Sequence, residues 1–395
     1  MTRNFRQSNP AARGRARRGL ALAVALCFPL GAVAGGTDPR FVLGGGRVVT
    51  GKNGTDVFSS PNSIIEWGSL STARNEYLRF IQKNGASWVM NRIVGGDPSV
   101  FLGSLSSNGH VIIINQNGIA FGPSAQVNVA GLVVSGLNLA NADFLDGKRA
   151  FDGSGGAGRV VNEGAIHALR GGSVLLVGGS VENRGVIEAP GGEVLLLAGR
   201  SVNLTDPAAP AIQVEVTAAD NAATNLGRIT AGQVGIYAGA IRHGGVANAN
   251  TAMLGENGRI VFRAVERLDV ESGAVVSANG PAGGSVTLES AGRTAVSGTV
   301  EARGGAASGG VIRVLGDRVA LEGDARLDAS GSTGGGTILV GGNYQGRGSE
   351  RNAARTYVGP GAALDASARD RGDGGLVVVW SDEATSFQEI GRAHV

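Results

Sequence analysis

Five residue pairs recur at a fixed step and restrict this chain to few folds. Ala231-Gly232, Asn257-Gly258, Gly283-Gly284, Gly309-Gly310 and Gly335-Gly336 each stand 26 residues beyond the pair before. Three positions after the first member comes Val234, Ile260, Val286, Ile312 or Ile338. Five positions after it comes Ile236, Phe262, Leu288, Val314 or Val340. Two apolar columns thus keep register over five units, and a period of this length marks a solenoid. The apolar positions alternate with polar ones, as in Val286-Thr-Leu288, so the units are strands with one face turned inward. Earlier units are shorter: Asn162-Glu-Gly-Ala-Ile recurs as Asn183-Arg-Gly-Val-Ile and as Asn225-Leu-Gly-Arg-Ile. A coil of this size with two or three short strands cannot bury its apolar face alone, whereas stacked coils place like residues above like. The expected architecture is all-β: a right-handed parallel β-helix with an N-terminal β cap. The aromatic-richer stretch from Phe41 to Met90 is the expected cap, because an open strand edge invites aggregation. The asparagines at coil corners are expected to bond to their copies in the next coil.

Composition agrees with strands and tight turns. Glycine supplies 68 of 395 residues, about 17% against a usual share of about 7%. Aromatic residues are only 5%, so the core must come from Val, Ile, Leu and Ala.

Residues 1–34 read as a secretory leader. Arg3, Arg6, Arg13, Arg15, Arg17 and Arg18 form a positive head, Leu20 to Leu30 an apolar run, and Ala32-Val33-Ala34 a small-x-small cleavage site. Cleavage is expected before Gly35. Loss of those six arginines takes the formal charge from +3 to −3, so the basicity belongs to targeting and does not imply a nucleic-acid partner. Cys27, the one cysteine, leaves as well, and the mature chain has neither disulfide nor thiolate metal site. No later run is apolar enough for a membrane-spanning helix.

Between residues 86 and 146 several motifs follow in order: Trp88-Val-Met-Asn-Arg-Ile-Val-Gly-Gly-Asp-Pro-Ser, Leu105-Ser-Ser-Asn-Gly-His-Val-Ile-Ile-Ile-Asn-Gln-Asn-Gly-Ile-Ala-Phe-Gly, Ala125-Gln-Val-Asn-Val-Ala-Gly-Leu and Asn141-Ala-Asp-Phe. Together they resemble the N-terminal secretion domain of filamentous haemagglutinin proteins, over roughly residues 40–230. The family signature Asn-Pro-Asn-Gly-Ile stands here as Asn115-Gln-Asn-Gly-Ile119, with Gln116 in place of the proline. The resemblance implies two-partner secretion. Periplasmic POTRA domains of a dedicated outer-membrane barrel read the secretion domain, and the chain crosses unfolded and folds outside, on the surface of a Gram-negative cell. It further implies Asn91, Asn115, Asn117 and Gly118 as the residues on which the transporter depends. Asn117 and Gly118 are expected at positive φ, and Asn115→Ala is expected to leave folding nearly intact. The domains expected are a leader over 1–34, a secretion and haemagglutination domain over 35–230, and a repeat β-helix over 231–388. Glu389-Ile-Gly-Arg-Ala-His-Val breaks the repeat and matches one translated frame of a common sequencing adapter. Residues 389–395 are therefore read as an artefact on a truncated gene.

No constellation indicates an enzyme, a metal or a cofactor. His110, His167, His243 and His394 are scattered outside any H-E-x-x-H pattern and read as surface or turn residues. Asp328 and Asp365 share the context Leu-Asp-Ala-Ser, which points to a common turn more than to paired acid–base work. Arg371-Gly372-Asp373 matches an adhesion tripeptide, although chance supplies one readily in a glycine-rich chain. No face with clustered Asp, Arg and Lys is evident. The expected function is a cell-surface adhesin, with a host or bacterial surface receptor or glycan as partner. Alternatives are the delivery stick of a contact-dependent toxin and, behind it, a polysaccharide-active β-helix enzyme.

Overall fold

The computed structural model describes residues 35–204, 212–215, 221–253, 255 and 257–388. The expected leader with Cys27, and residues 389–395 with His394, lie outside the described residues.

The chain winds through three parallel sheets and forms a parallel β-helix. The first sheet starts with Ser63–Trp67, Trp88–Ile93 and His110–Ile114 and ends with Thr337–Val340 and Leu376–Val379. The second starts with Ser99–Phe101 and Ile119–Phe121 and ends with Arg355–Val358 and Ala384–Phe387. The third starts with Gly54–Ser59 and Tyr77–Gln82 and ends with Arg326–Asp328 and Ala363–Asp365. Both columns expected from the repeat exist. Val234, Ile260, Val286, Ile312 and Ile338 pair in series and are buried, as are Ile236, Phe262, Leu288, Val314 and Val340. Strand Arg228–His243 passes residue 230 without a break.

The cap is smaller than the expected stretch from Phe41 to Met90. Only Arg40–Leu43 and Gly46–Gly51 pair antiparallel, with Ser63–Trp67 and Gly54–Ser59 respectively. Gly54–Ser59 and Ser63–Trp67 already pair in parallel with the next coil. Aromatic content misled here, because Trp67 is not a lid residue. It lies fully buried inside the first coils.

The first sheet is apolar on both faces in its early coils. Val111, Leu132, Val174 and Val194 point into the helix, while Ile112, Val133, Leu175 and Leu195, one residue further on, belong to a separate buried cluster. That cluster is completed by Leu137, Leu139, Phe144, Phe151 and Val202. Apart from Leu137, just before them, these come from the short helix Asn141–Leu145 and from an antiparallel sheet of Asn138–Leu139, Arg149–Asp152, Ser201–Leu204 and Ile212–Glu215. The added layer covers apolar outer side chains that would otherwise face water. Arg92 ties it down by donating to the Leu139 carbonyl at 2.6 Å. Trp88 lies between Arg149 of the layer, 4.5 Å from its ring centroid, and the His110 ring, stacked at 4.2 Å. Past residue 235 the outer positions become mixed, with Arg263, Thr287 and Arg313 among the buried Val261, Leu315 and Leu339, and the layer ends.

The second sheet holds a polar column inside the core. Asn162 Nδ2 donates to Asn183 Oδ1, and Asn183 Nδ2 to Asn225 Oδ1, each at 2.8 Å. Asn225 Nδ2 then donates to His243 Nδ1 at 3.1 Å, so His243 Nε2 carries the hydrogen and donates to the Val275 carbonyl at 3.2 Å. The asparagines do bond to their copies. His243 is no surface residue: it is fully buried and ends the ladder. Burial pushes its pKa from 6.5 down to about 4. The outer face of the same sheet corrects the expectation of no clustered charge. Arg267, Arg293, Arg318 and Arg355 pair in one column. Each has a carboxylate near it: Asp269, Glu322, Asp317 and Glu383 in turn.

Candidate functional site

The apolar strand His110–Ile114 must stop before Ile119–Phe121 can join the second sheet, and Asn115 to Gly118 make the corner. Gly118 N donates to the Asn115 carbonyl at 3.0 Å, closing a four-residue turn. The Asn115 side chain locks it from within: Oδ1 accepts from Asn117 N at 2.9 Å, while Nδ2 reaches the Asp97 carbonyl and Ser99 Oγ, both at 3.0 Å. Asn117 Nδ2 donates to the Gly95 carbonyl at 2.9 Å. Gly118 stands at φ 111°. A Cβ there would lie 3.2 Å from the Arg159 carbonyl oxygen, so glycine answers both a backbone and a steric demand. Asn117 does not share the positive φ expected of it. Its side-chain bonds hold the turn in the ordinary region, and the left-handed step falls on Gly118 alone.

Gln116 has found work that a proline could not do. Its Nε2 donates to the Gly156 carbonyl at 3.0 Å and steadies a glycine-rich loop that passes over the turn. The loop must run close: a Cβ on Gly158 would come within 2.6 Å of Gly118 N and 2.8 Å of the Gln116 carbonyl oxygen.

Asn91 is separate from the turn. It sits in the inner column of the first sheet, between Ile65 and Ile113, and is fully buried. Trp67 Nε1 donates to its Oδ1 at 3.0 Å, and its Nδ2 donates to the Ile112 carbonyl at 3.2 Å. Asn115 is buried as completely. Its removal strands a carbonyl, a hydroxyl and an amide, so the expectation that Asn115→Ala leaves folding nearly intact is corrected to a loss of about 1–3 kcal/mol. The residues that receive these bonds, Gly95, Asp97 and Ser99, escaped notice as site residues. The signal was present, since all three lie in the motif run that begins at Trp88.

The remaining candidates separate cleanly. Asp328 and Asp365 make one and the same turn: each Oδ1 accepts from the backbone N two residues on, at 3.0 and 2.9 Å, and from that serine's Oγ, at 2.5 and 2.7 Å. His167 pairs with Glu188 at 3.2 Å on the surface. Arg371, Gly372 and Asp373 are all exposed, on a loop whose backbone is tied to the coil beneath through Ser332 and Gly335. Among the described residues no group of three or more His, Cys, Asp and Glu could hold a metal. Among them, too, no helix is long and apolar enough to cross a membrane.

With this geometry in hand, the chain can be set beside known proteins. Residues 34–254 match the TPS secretion domain family. The secretion domain of HMW1 from Haemophilus influenzae superimposes with a TM-score of 0.68 and 27% identity, covering 90% of this chain and 99% of that one. The heme/hemopexin-binding protein of Haemophilus influenzae is 35% identical over 80 residues, which are 20% of this chain and 9% of that relative's length. The family is one of secretion domains and not of enzymes. Its members reach the cell surface through a cognate outer-membrane transporter. This chain belongs to the TPS secretion domain family, as a haemagglutinin-like exoprotein.

Proposed function

We propose that the transporter reads Asn91, Asn115, Asn117 and Gly118 before the chain has folded, and that the exported chain serves as a surface adhesin. What supports the first part is the complete burial of Asn91 and Asn115, whose polar atoms are bonded inside the protein. A receptor cannot reach them without opening the first coils. In an extended chain the same four residues are accessible, and only afterwards do they become core and corner. Folding on the far side of the membrane then hides the recognition sequence and opposes return.

The experiment is a binding titration of the transporter's periplasmic domains against two samples of the chain, one native and one freshly diluted from denaturant. The diluted chain should bind at least about tenfold tighter, and binding should decay at the rate of folding. Equal binding by the native chain overturns the reading. In cells, Asn115→Ala should accumulate in the periplasm. Normal secretion of both Asn115→Ala and Asn91→Ala would reduce these residues to structural parts. The adhesive role is supported by the exposed Arg371-Gly372-Asp373 loop. It is tested by attachment of cells to a surface coated with the protein or with its Asp373→Ala variant.

A further inference from the structure

The 26-residue coils are longer than the early ones mainly at one corner. Between the third and first sheets, the early chain hardly departs from strand. Val186–Ala198 and Arg228–His243 run through that corner as continuous strands. In the later coils the corner opens into loops over 278–284, 302–310, 329–336 and 366–375. Each of these begins on a buried alanine, Ala278, Ala302, Ala329 or Ala366, which closes the core behind it. The added residues therefore build a ledge outside the core. The ledge is ordered: Gly280, Gly304, Gly331 and Ala368 bridge one another in sequence. Insertions repeated on one face of a solenoid mark where it binds.

The ledge contains a groove of about 340 Å³. Its polar side chains come from four successive coils: Asn279, Arg303, Ser330 and Ser332, Arg369 and Asp370. They are fixed before any ligand arrives. Asn279 Nδ2 donates to Glu301 Oε2 and its Oδ1 accepts from Arg303 N, both at 2.7 Å. Arg303 also meets Glu301, at 3.0 Å, and Arg369 reaches the buried Asp328 at 3.3 Å. Ser332 Oγ donates to Asp370 Oδ2 at 2.6 Å. Each guanidinium has five N–H donors and spends few of them here, and Asp370 keeps its second oxygen. Gly304 and Gly305 leave part of the wall without side chains, so a ligand can come close to backbone.

We propose that this groove binds a neutral oligosaccharide laid along the coil axis. Three observations select that class. Charge is nearly balanced: Asp370 lines the groove beside Arg303 and Arg369, and each of these guanidiniums is already paired from behind, with Glu301 and with the buried Asp328, so a polyanion finds no uncompensated cation. No aromatic or large apolar side chain lines the groove, which disfavours lipid, nucleobase and hydrophobic peptide. Polar groups recur from coil to coil at the spacing of successive strands, about 4.8 Å, and sugar hydroxyls can both give and accept hydrogen bonds along a repeating polymer. Lack of an aromatic platform makes each contact weak, so affinity arises from many copies on one cell surface. The inference names the partner within the adhesin reading, and its test does not depend on export.

The purified full chain is titrated with maltohexaose, cellohexaose, chitohexaose and mannohexaose, and separately with a heparin-derived hexasaccharide, using ligand-observed NMR. At least one neutral sugar should bind with a Kd near ~1 mM. Ser332→Phe, which fills the groove, and Arg303→Ala, which removes donors together with the half-exposed pair to Glu301, should each weaken it about tenfold with melting curves little changed. Arg318→Ala, on the second sheet's outer face, should bind as the parent does. The inference is overturned if no neutral hexasaccharide binds at about 20 mM, if heparin alone binds, or if both groove variants bind like the parent. A chain that binds sugar but fails in the export experiments would sink the proposed function and leave this groove intact.

Discussion

The coils before residue 235 and those after it share one inner architecture and treat their outer faces in opposite ways. In the early coils the first sheet is apolar on both sides, and a helix and four short strands cover its outer face. In the late coils the same register carries the half-buried Thr287 and Arg313 between the buried Val261 and Leu339, and no added layer covers it. A solenoid thus needs only one apolar face to stack. A second apolar face commits the chain to a further layer. The early coils also hold the turn at Asn115 to Gly118 beneath the glycine-rich loop at 156–158, while the late coils extend loops at another corner.

The comparison breaks most visibly when one register is probed at different coils. Leu175, Leu195, Gly235, Val261, Thr287 and Arg313 occupy equivalent outer positions. Leu195→Asp places a charge in the second core and should cost about 3–5 kcal/mol, as should Ile312→Asp in the inner column. Chemical denaturation of each variant measures this. If Leu195→Asp behaves as a surface change, the second core does not contribute to stability.

A pH titration of stability sharpens the contrast within the core. The unfolded chain binds the His243 proton near pH 6.5 and the folded chain only near about 4. Between those values the unfolded state holds more protons, so stability falls as pH drops through that window and is unaffected by this group above it. The loss by pH 4 should approach about 3 kcal/mol. Protonation also forces an N–H at Nδ1 against the Asn225 amide. His243→Asn, which extends the ladder with an uncharged amide, should flatten the profile over that window. A profile identical in parent and variant would remove His243 as its cause.

Asn183→Ala should cost about 1–3 kcal/mol, since it leaves Asn162 Nδ2 and Asn225 Oδ1 buried without their partner. Thermal melts of this variant and of Glu188→Ala, on the exposed face of the neighbouring sheet, separate a ladder effect from general loss. At the small end, Thr287→Asp should change stability by no more than about 0.5 kcal/mol.

Much of this was legible in the sequence, and the reasons differ by feature. The inner columns could be read directly, because a fixed step and an alternating pattern allow only one register. The Asn ladder was legible for the same reason, through the recurrence of Asn162, Asn183 and Asn225. The second core was not inferred, although Val111-Ile-Ile-Ile114 and Val194-Leu-Leu-Leu197 announce it. A run without alternation is a strand buried on both faces, and reading it as one-sided lost the covering layer. The arginine column was missed because its members stand at unequal intervals, separated by loops of different length. The burial of Asn91 and Asn115 was beyond reach. Asparagine reads as a turn or surface residue, and only the preceding coil, paired alongside, supplies the Trp67 and Ser99 partners that make burial tolerable.

The most direct measurement is cysteine labelling along that single outer register. In a Cys27→Ala background, Leu175→Cys, Leu195→Cys, Thr287→Cys and Arg313→Cys are each treated with a maleimide under native conditions and again in denaturant. The account predicts that the cysteines at 175 and 195 stay protected until the chain unfolds, while those at 287 and 313 react at once. Rapid native labelling at 175 and 195, in variants whose melts remain cooperative, would contradict a covered second core.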